Sequence, residues 1–242
     1  MQELQIREWL LSEAEMKYQT FASKLIPGEN KLLGVRIPIL RKKARQLSKQ
    51  NWKEACIYFY NCIEKDNCYM EEKLLFAFVI GYAQMSEEER VKWLDRWILC
   101  IDNWSVCDSG CMTYQFMKKN PKFWWNYLQK WLSSSKEFEL RFGIVALLDH
   151  FITDNYIDDV LEKLACIDHN GYYVKMAVAW AISVCYVFDE EKTSRLLKQQ
   201  VLDEFIQNKS IQKICESLRV TKEQKQSVRD WKIVHGKRYG TE

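Results

Sequence analysis

A spacing of 34 residues recurs along the chain and constrains its fold more than any other feature of the sequence. The predicted second helices of successive helix pairs begin 34 residues apart, at Met70, Trp104, Phe138 and Tyr172. A regular period in alternating amphipathic helices is typical of a solenoid, in which each helix pair packs only on its neighbours. Because the consensus residues of TPR repeats are not evident, the sequence favours HEAT-like pairs whose second helices line a concave face.

Few residues of this chain favour turns or hairpins, since it contains eight Gly and three Pro among 242 residues. This composition indicates an all-α chain, here a superhelical solenoid of antiparallel HEAT-like (ARM/HEAT-like) helix pairs. We expect a single domain over residues 1–242. It would have N-terminal helices in 1–50, helix pairs in 51–219, and a C-terminal helix with a basic tail in 220–242.

Capping and proline signals predict several helix boundaries. Residues 3–24 have a continuous helical pattern, and Pro38 lies near the start of the next helix. Capping-box patterns occur at Ser86 with Glu89 and at Thr221 with Gln224. Further helix starts are predicted at Asn120-Pro121, Asp154-Asn155 and Asp189-Glu190.

Several classes of protein are disfavoured by composition. Charged residues between Met1 and Trp9 argue against a signal peptide, and no apolar run is long enough for a membrane helix, so we expect a cytoplasmic protein. The nine cysteines include no Cys-x-x-Cys pair, so reduced, mostly buried thiols are expected rather than disulfides or a zinc site. The net charge of +3 does not by itself identify a nucleic-acid binder, so the positions of the charges matter.

Cations recur at one register of the 34-residue frame. The register is occupied by Lys73, Cys107, Arg141, Lys175 and Lys209. Equivalent positions of a solenoid stack into a row, so a polyanion such as DNA lying along the concave face would meet these cations. Alternatively, the cations only cover helix surfaces with their aliphatic stems.

Asp108 departs from the pattern of its position in the repeat. The equivalent residues are Leu74, Phe142 and Met176, so a position that is otherwise apolar holds a carboxylate. Trp104 precedes Asp108 by one helical turn, which places the indole and the carboxylate on one helical face. A helix cap is the alternative use of such a carboxylate, and its mid-helix position disfavours that interpretation.

An aromatic-rich helix extends from Tyr172 to Trp180. Tyr173, Met176 and Trp180 share one face of this helix. Taken singly, tryptophans are more often packing residues than site residues. An anionic group near aromatic rings and backed by cations, however, suits a site that holds a positive charge while phosphates are bound on either side.

Together these segments resemble the AlkD-type DNA alkylation repair glycosylases. The resemblance rests on the array of helix pairs, the segment from Gly34 to Arg41, Trp104 with Asp108, Arg141 within residues 140–145, and the segment from Tyr172 to Trp180. It covers roughly residues 15–205, as far as matching motifs extend along the repeats. The resemblance implies a HEAT-like solenoid that cradles double-stranded DNA and removes cationic N3- and N7-alkylated purines without a metal or redox cofactor. We expect it to act as a monomer.

The resemblance also implies roles for individual residues. Asp108 would stabilise the positive charge that develops on the sugar and would orient water, while Trp104 and Trp180 would flank the sugar and the lesion. Arg141 would hold a backbone phosphate. The further residues expected to contact DNA are Arg41, Lys73, Tyr172, Tyr173, Lys175 and Lys209.

Differences from the family pattern leave other functions open. Tyr172 and Tyr173 stand where the better-known members have Phe, Lys175 adds a cation, and the chain after about residue 205 lies outside the matched repeats. A related protein could keep the fold and the DNA groove without excising bases, so a non-catalytic DNA-binding solenoid is one alternative. A protein-interaction scaffold, which is a common use of helical repeats, is the other.

Overall fold

The computed structural model is all-helical. It describes residues 2–26, 28 and 31–234, and within these ranges it contains fourteen α-helices, one short 3-10 helix and no strand. The helices of the N-terminal half are α1 (Gln2–Ser12), α2 (Met16–Leu25), α3 (Ile37–Gln50), α4 (Trp52–Glu64), α5 (Met70–Tyr82), α6 (Glu87–Ile98), α7 (Trp104–Cys111) and the 3-10 helix (Gln115–Lys118). Those of the C-terminal half are α8 (Pro121–Leu132), α9 (Glu137–His150), α10 (Ile157–Ala165), α11 (Tyr172–Phe188), α12 (Glu190–Gln199), α13 (Glu204–Glu216) and α14 (Lys222–Arg229).

The chain forms two compact units, Met1–Lys119 and Asn120–Glu242. The first unit contains α1 to α7, and the second contains α8 to α14. The expectation of a single domain over residues 1–242 stays a prediction.

The 34-residue period corresponds to helix pairs, as predicted. The second helices α5, α7 and α11 begin at Met70, Trp104 and Tyr172, and α9 begins at Glu137, one residue before the predicted start. In the first unit, α5 packs against both α3 and α7; in the second unit, α11 packs against both α9 and α13. This stacking of successive second helices is the packing of a helical-repeat solenoid, so the predicted all-α repeat fold is confirmed.

The longest buried stretches of each unit lie on second helices. Helices α5, α9 and α11 are apolar around most of their circumference and are buried along most of their length. A helix with this composition has to be covered on several sides, which stacking between neighbouring helices achieves. Fully buried aromatic side chains such as Phe76 and Phe142 fill the spaces between helices.

Most of the predicted helix starts are confirmed. Ser86 accepts a hydrogen bond from the backbone N–H of Glu89, and Asn120 caps α8 with Pro121 in its first turn. The Asp189 cap and the reciprocal capping box of Thr221 are also present. The start predicted at Asp154-Asn155 was early, because α10 begins at Ile157 after a turn.

One helix prediction was wrong. Residues 3–24 are not one continuous helix, because α1 ends at Ser12 and α2 starts at Met16. The backbone N–H of Glu15 donates to the carbonyl of Gly34 at 3.1 Å, so a tertiary contact fixes the break. Periodicity within the segment carries no information about this contact.

Two features of the described residues concern membrane spanning and the cysteines. In the described ranges, every helix is too short or too polar to cross a bilayer. Five of the nine cysteines are buried, in line with the expectation of mostly buried thiols. The C-terminal helix is α14, whereas the basic tail from residue 235 onward lies outside the described residues.

Candidate nucleic-acid and catalytic residues

Helix α7 carries Trp104 and Asp108, and both side chains are half-buried. The helix starts at Trp104 because the side chain of Asn103 accepts a hydrogen bond from the N–H of Val106 at 3.0 Å. At the position equivalent to Asp108, Leu74 is 1% exposed and Phe142 is fully buried. The carboxylate therefore has more access to solvent than the apolar residues that occupy this position in two other repeats.

The indole of Trp104 is held by the end of helix α2. Its Nε1–H donates to the backbone carbonyl of Leu25 at 3.1 Å. The last carbonyls of a helix have no partner within the helix, so this bond satisfies both groups. The ring also borders a small cavity of about 90 Å³ whose walls include Phe21 and Met70. Trp104 thus has a fixed orientation while one part of its ring remains accessible.

A chain of polar contacts fixes the N-terminal end of α7. Lys73 of α5 forms an ion pair with Asp102, and the other oxygen of that carboxylate accepts a hydrogen bond from the side chain of Asn103 at 3.1 Å. Asn103 in turn caps α7. Lys73 was expected to contact DNA, and that role stays a prediction. The structure gives Lys73 an additional role in holding the segment that precedes Trp104.

Arg41 of α3 anchors the other end of α7. One terminal nitrogen of its guanidinium donates to the hydroxyl of Tyr82 at 3.0 Å and to Oγ1 of Thr113 at 2.7 Å, and the other donates to the carbonyl of Ser109 at 3.1 Å. The guanidinium also stacks over the ring of Phe78, 4.3 Å from its centroid. Arg41 was expected to contact DNA, which stays a prediction; its contacts also position the helix that carries Asp108.

Gly110 allows α7 to approach the core closely. A Cβ atom at this position would lie 2.5 Å from Cη2 of Trp97 and 3.2 Å from Cβ of Ala77. The indole of Trp97 is fully buried and donates to the carbonyl of Lys73 at 3.0 Å, so it has little freedom to move. A residue without a side chain is therefore required where α7 crosses this ring.

In the second unit, aromatic rings surround the start of α11. Tyr173 packs against Phe138 of α9 with centroids 5.3 Å apart and against Tyr172 with centroids 5.4 Å apart. Tyr172 is 58% exposed and its ring also contacts Phe205 of α13, 6.0 Å away. These rings form a partly exposed aromatic strip across three successive second helices. Such a strip suits stacking against bases or sugars.

Arg141 of α9 is buried beneath this strip. Its side chain is 5% exposed, and its guanidinium donates to the backbone carbonyl of Tyr173 at 2.6 Å. The carboxylate of Glu137 accepts the backbone N–H of Tyr173 at 2.7 Å. Helix α9 therefore holds the first turn of α11 by two bonds to the backbone of Tyr173. The positively charged Arg141 binds its carbonyl, and the negatively charged Glu137 binds its N–H.

Lys175 and Lys209 lie in the predicted register and have different surroundings. Lys175 forms an ion pair with Asp203 at 3.0 Å, and its side chain is 20% exposed. Lys209 donates to the side-chain oxygen of Gln212 at 2.8 Å and lies 6.0 Å from the centroid of the Phe205 ring. Burial raises the pKa of Asp203, but the bond from Lys175 and the backbone N–H groups at the start of α13 outweigh it, so the pKa is lowered.

Trp180 lies two turns after Tyr173 on α11. Tyr173, Met176 and Trp180 are all half-buried, in agreement with the shared face predicted from their spacing. The Trp180 ring forms part of a groove with residues of α13 and of the turn that follows it.

The family to which the chain belongs follows from a comparison with known protein families. A family model described as DNA alkylation repair enzyme matches residues 6–229. The chain belongs to this family. A comparison with curated proteins finds no match. As a member of the DNA alkylation repair enzyme family, the protein has a role in DNA repair, and the match includes α13 and α14, which the resemblance seen in the sequence did not cover.

The predicted site residues of this DNA alkylation repair enzyme fall into two groups. The first unit contains Trp104 and Asp108, which are part of α7, and Lys73 and Arg41, whose contacts hold the two ends of α7. The second unit contains Arg141, Tyr172, Tyr173, Lys175, Trp180 and Lys209. That the two groups act on one DNA surface stays a prediction.

Within the described residues, no three His, Cys, Asp or Glu side chains form a cluster that could hold a metal ion.

Sequence reasoning missed several residues that shape these groups. Asn103 could have been found as an N-cap signal directly before Trp104. Lys213 could have been found because it follows Lys209 by one turn on the same helix face. No sequence signal identified Leu25, because it contributes a backbone carbonyl and its side chain is irrelevant to the bond.

Proposed function

We propose that this protein is a DNA glycosylase that removes N3- and N7-alkylated purines from double-stranded DNA by hydrolysing the N-glycosidic bond. One observation carries the proposal most strongly. A half-buried carboxylate, Asp108, lies one helical turn after Trp104, at a position where Leu74 and Phe142 are buried in the core. Carboxylates are uncommon at packing positions, so the presence of Asp108 there favours a role beyond packing.

The proposed reaction matches the chemistry of such a carboxylate. Alkylation at N3 or N7 makes the purine cationic, so the electron pair of the breaking bond between C1′ and the base neutralises the ring as it leaves. Positive charge then develops on the deoxyribose, where the carboxylate of Asp108 stabilises it. Water adds to C1′, and its proton passes to Asp108 or to solvent. The leaving group needs little acid catalysis because it departs as a neutral base.

The surrounding residues have complementary proposed roles. The indole of Trp104, held by its bond to Leu25, presents a ring face to the cationic lesion or sugar. Trp180 and the strip containing Tyr172 and Tyr173 supply further aromatic surface. Lys175 and Lys209, together with Lys73 and Arg41, provide positive charge for backbone phosphates. Arg141 was expected to hold a phosphate, but it is 5% exposed and donates to the carbonyl of Tyr173, so its proposed role is to position the aromatic strip. We propose that the protein acts as a monomer and without a resident cofactor.

The test is release of 7-methylguanine from methylated duplex DNA, measured against the rate without protein. Wild type should release the base, and Asp108→Asn should lower the rate by about 10²–10³, the usual effect of removing one group that stabilises transition-state charge. Asp159→Asn is the matched control, because it makes the same change at an exposed position of α10. Release by Asp108→Asn at the wild-type rate would rule out the role given to this carboxylate.

The same preparation distinguishes the two alternatives. Salt-dependent binding of duplex DNA without base release by the wild type would identify a non-catalytic DNA-binding protein. Failure to bind methylated or unmodified duplex at low salt would favour a protein-interaction scaffold.

A further inference from the structure

A groove of about 410 Å³ lies between α11 and the end of α13 in the second unit. Its α11 wall contains the ring of Trp180 and the side chains of Val184 and Val187, and all three residues are half-buried. The opposite wall comes from the segment that begins at Lys213. One wall is therefore aromatic and aliphatic, and it belongs to the helix that also carries the aromatic strip.

The opposite wall includes a firmly held turn between α13 and α14. The backbone N–H of Ser217 donates to the carbonyls of Lys213 and Ile214, and the hydroxyl of Ser217 accepts the N–H of Arg219 at 3.2 Å. Val220 is 7% exposed and anchors the far side of the turn. These contacts hold the backbone on both sides of the tip of the turn.

The tip of this turn is occupied by Leu218 and Arg219. Leu218 is 99% exposed, and Arg219 is also exposed. A single exposed leucine is ordinary on a protein surface. Here, however, Leu218 and Arg219 border the same groove as Trp180, so the groove combines an aromatic residue, an exposed leucine and a cation.

The groove also has an excess of positive charge. Burial lowers the pKa of Lys213; Glu216 raises it, whereas Lys209 and Arg141 lower it further. The groove itself is lined by two cations, Lys213 and Arg219, and by one carboxylate, Glu216. A bound anion would offset both the burial and the repulsion experienced by the ammonium group.

We propose that this groove binds one strand of the DNA backbone, with Lys213 and Arg219 holding a phosphate while Trp180 and Leu218 pack against the adjoining deoxyribose. The inference rests on the proposed function, since it takes DNA as the ligand. It assigns a DNA-contacting role to the turn between α13 and α14. Cations beside an aromatic ring and an apolar side chain match the alternation of phosphate and sugar along a strand.

The experiment measures the affinity for a fluorescent duplex over a series of salt concentrations. The double variant Lys213→Gln/Arg219→Gln should bind several-fold more weakly, and the slope of log affinity against log salt should decrease by about one unit, as expected for one lost phosphate contact. The control Lys163→Gln/Arg229→Gln removes the same charge at exposed positions of α10 and α14 and should keep the wild-type slope. Since Arg219 is exposed, the single variant Arg219→Gln tests the same contact without disturbing the fold.

Leu218→Ala tests the apolar part of the groove. It should weaken duplex binding without changing the thermal unfolding midpoint, because its side chain makes almost no contact within the protein. The equivalent truncation Val201→Ala, at a residue that is 64% exposed, should have no effect on binding. Wild-type affinity of Leu218→Ala would overturn the sugar contact proposed for this residue.

The results separate this proposal from the proposed function. If wild type binds duplex and releases 7-methylguanine while both the double variant and Arg219→Gln keep the wild-type salt slope, the groove proposal is overturned and the glycosylase proposal stands. If wild type binds no duplex, both proposals fail. A reduced slope in the groove variants but not in the control supports the groove, whether or not a base is released.

Discussion

Arg41 and Ser109 are joined by a hydrogen bond of 3.1 Å from the guanidinium to the backbone carbonyl, across 68 residues of sequence. The same guanidinium donates to Thr113, whose hydroxyl also donates to the carbonyl of Ser109 at 2.9 Å. Arg41 therefore closes a small network at the C-terminal end of α7. The residue after Asp108 is fixed from a different helix, which limits how far the carboxylate can move.

Replacing Arg41 should destabilise the first unit. Arg41→Gln removes hydrogen bonds from a charged donor, and we expect the free energy of unfolding to fall by about 2 kcal/mol. Lys42→Gln, at the neighbouring exposed position, is the control and should unfold like wild type. Chemical denaturation gives both values. A variant at position 41 with wild-type stability and a smaller salt slope for DNA binding would instead show that Arg41 acts mainly on DNA.

Gly110 should not tolerate even one additional carbon. The new Cβ of Gly110→Ala would lie 2.5 Å from the ring of Trp97, so α7 or the indole has to shift. We expect a loss of about 1–3 kcal/mol, typical of overpacking, together with slower base release because Asp108 moves with its helix. Thermal unfolding and the methylguanine assay measure the two effects. Ser105→Ala makes no new contact in the same helix and serves as the stability control; equal midpoints for the two variants would contradict the close-packing argument.

The buried carboxylate of Glu72 should be important for the stability of the first unit. Glu72 is fully buried and accepts hydrogen bonds from Arg7 at 2.7 Å, from the hydroxyl of Tyr58 and from the backbone N–H of Tyr69 at 2.8 Å. Glu72→Ala leaves these donors without their acceptor, and we expect a loss of about 3 kcal/mol, since Arg7 can regain some solvation.

A double-mutant cycle tests that explanation. Arg7→Met leaves the fully buried carboxylate of Glu72 without its cation and should also destabilise the unit, and Arg7→Met/Glu72→Ala should cost less than the sum of the two single changes. Additive losses in denaturant titrations would mean that the two residues stabilise the unit independently.

The ion pair between Lys175 and Asp203 should make stability depend on pH. Because the folded pKa of Asp203 lies below its ordinary value of 3.8, the contribution of the pair is complete above that pH and is lost as pH falls through the folded pKa. Asp203→Asn keeps an N-cap side chain but removes the charge. At neutral pH it should be less stable than wild type by at most about 1 kcal/mol, since the pair is partly exposed.

Denaturant titrations of both proteins over a range of acid pH provide the measurement. The difference in free energy of unfolding should shrink as the medium becomes more acidic than the ordinary pKa of an aspartate. A difference that stays constant through this range would show that the charge of Asp203 has no part in the stabilisation.

The sequence was sufficient for the repeat but not for the contacts that orient its residues. The period located the starts of α5, α7 and α11, because each start is encoded by local apolar spacing. The break before Met16 and the bond between Arg41 and Ser109 depend on how distant helices pack, which local spacing does not specify.

The register of cations shows the same limit for the candidate site. Lys73 and Lys175 were found by their spacing, yet each is paired with an aspartate 29 or 28 residues later, Asp102 and Asp203. A register assigns residues to equivalent positions but does not show which neighbours neutralise them. The groove cations Lys213 and Arg219 were missed because they lie outside the register.

The bond from Trp104 to Leu25 has a consequence for sequence variation. Its acceptor is a main-chain oxygen, which every amino acid at position 25 would supply as long as α2 ends at the same place. The donor, by contrast, is specific to an indole: Phe or Tyr at position 104 would keep an aromatic face but lack the N–H. Substitutions at this contact should therefore be tolerated very unequally, with many side chains accepted on the α2 side and tryptophan strongly preferred on α7.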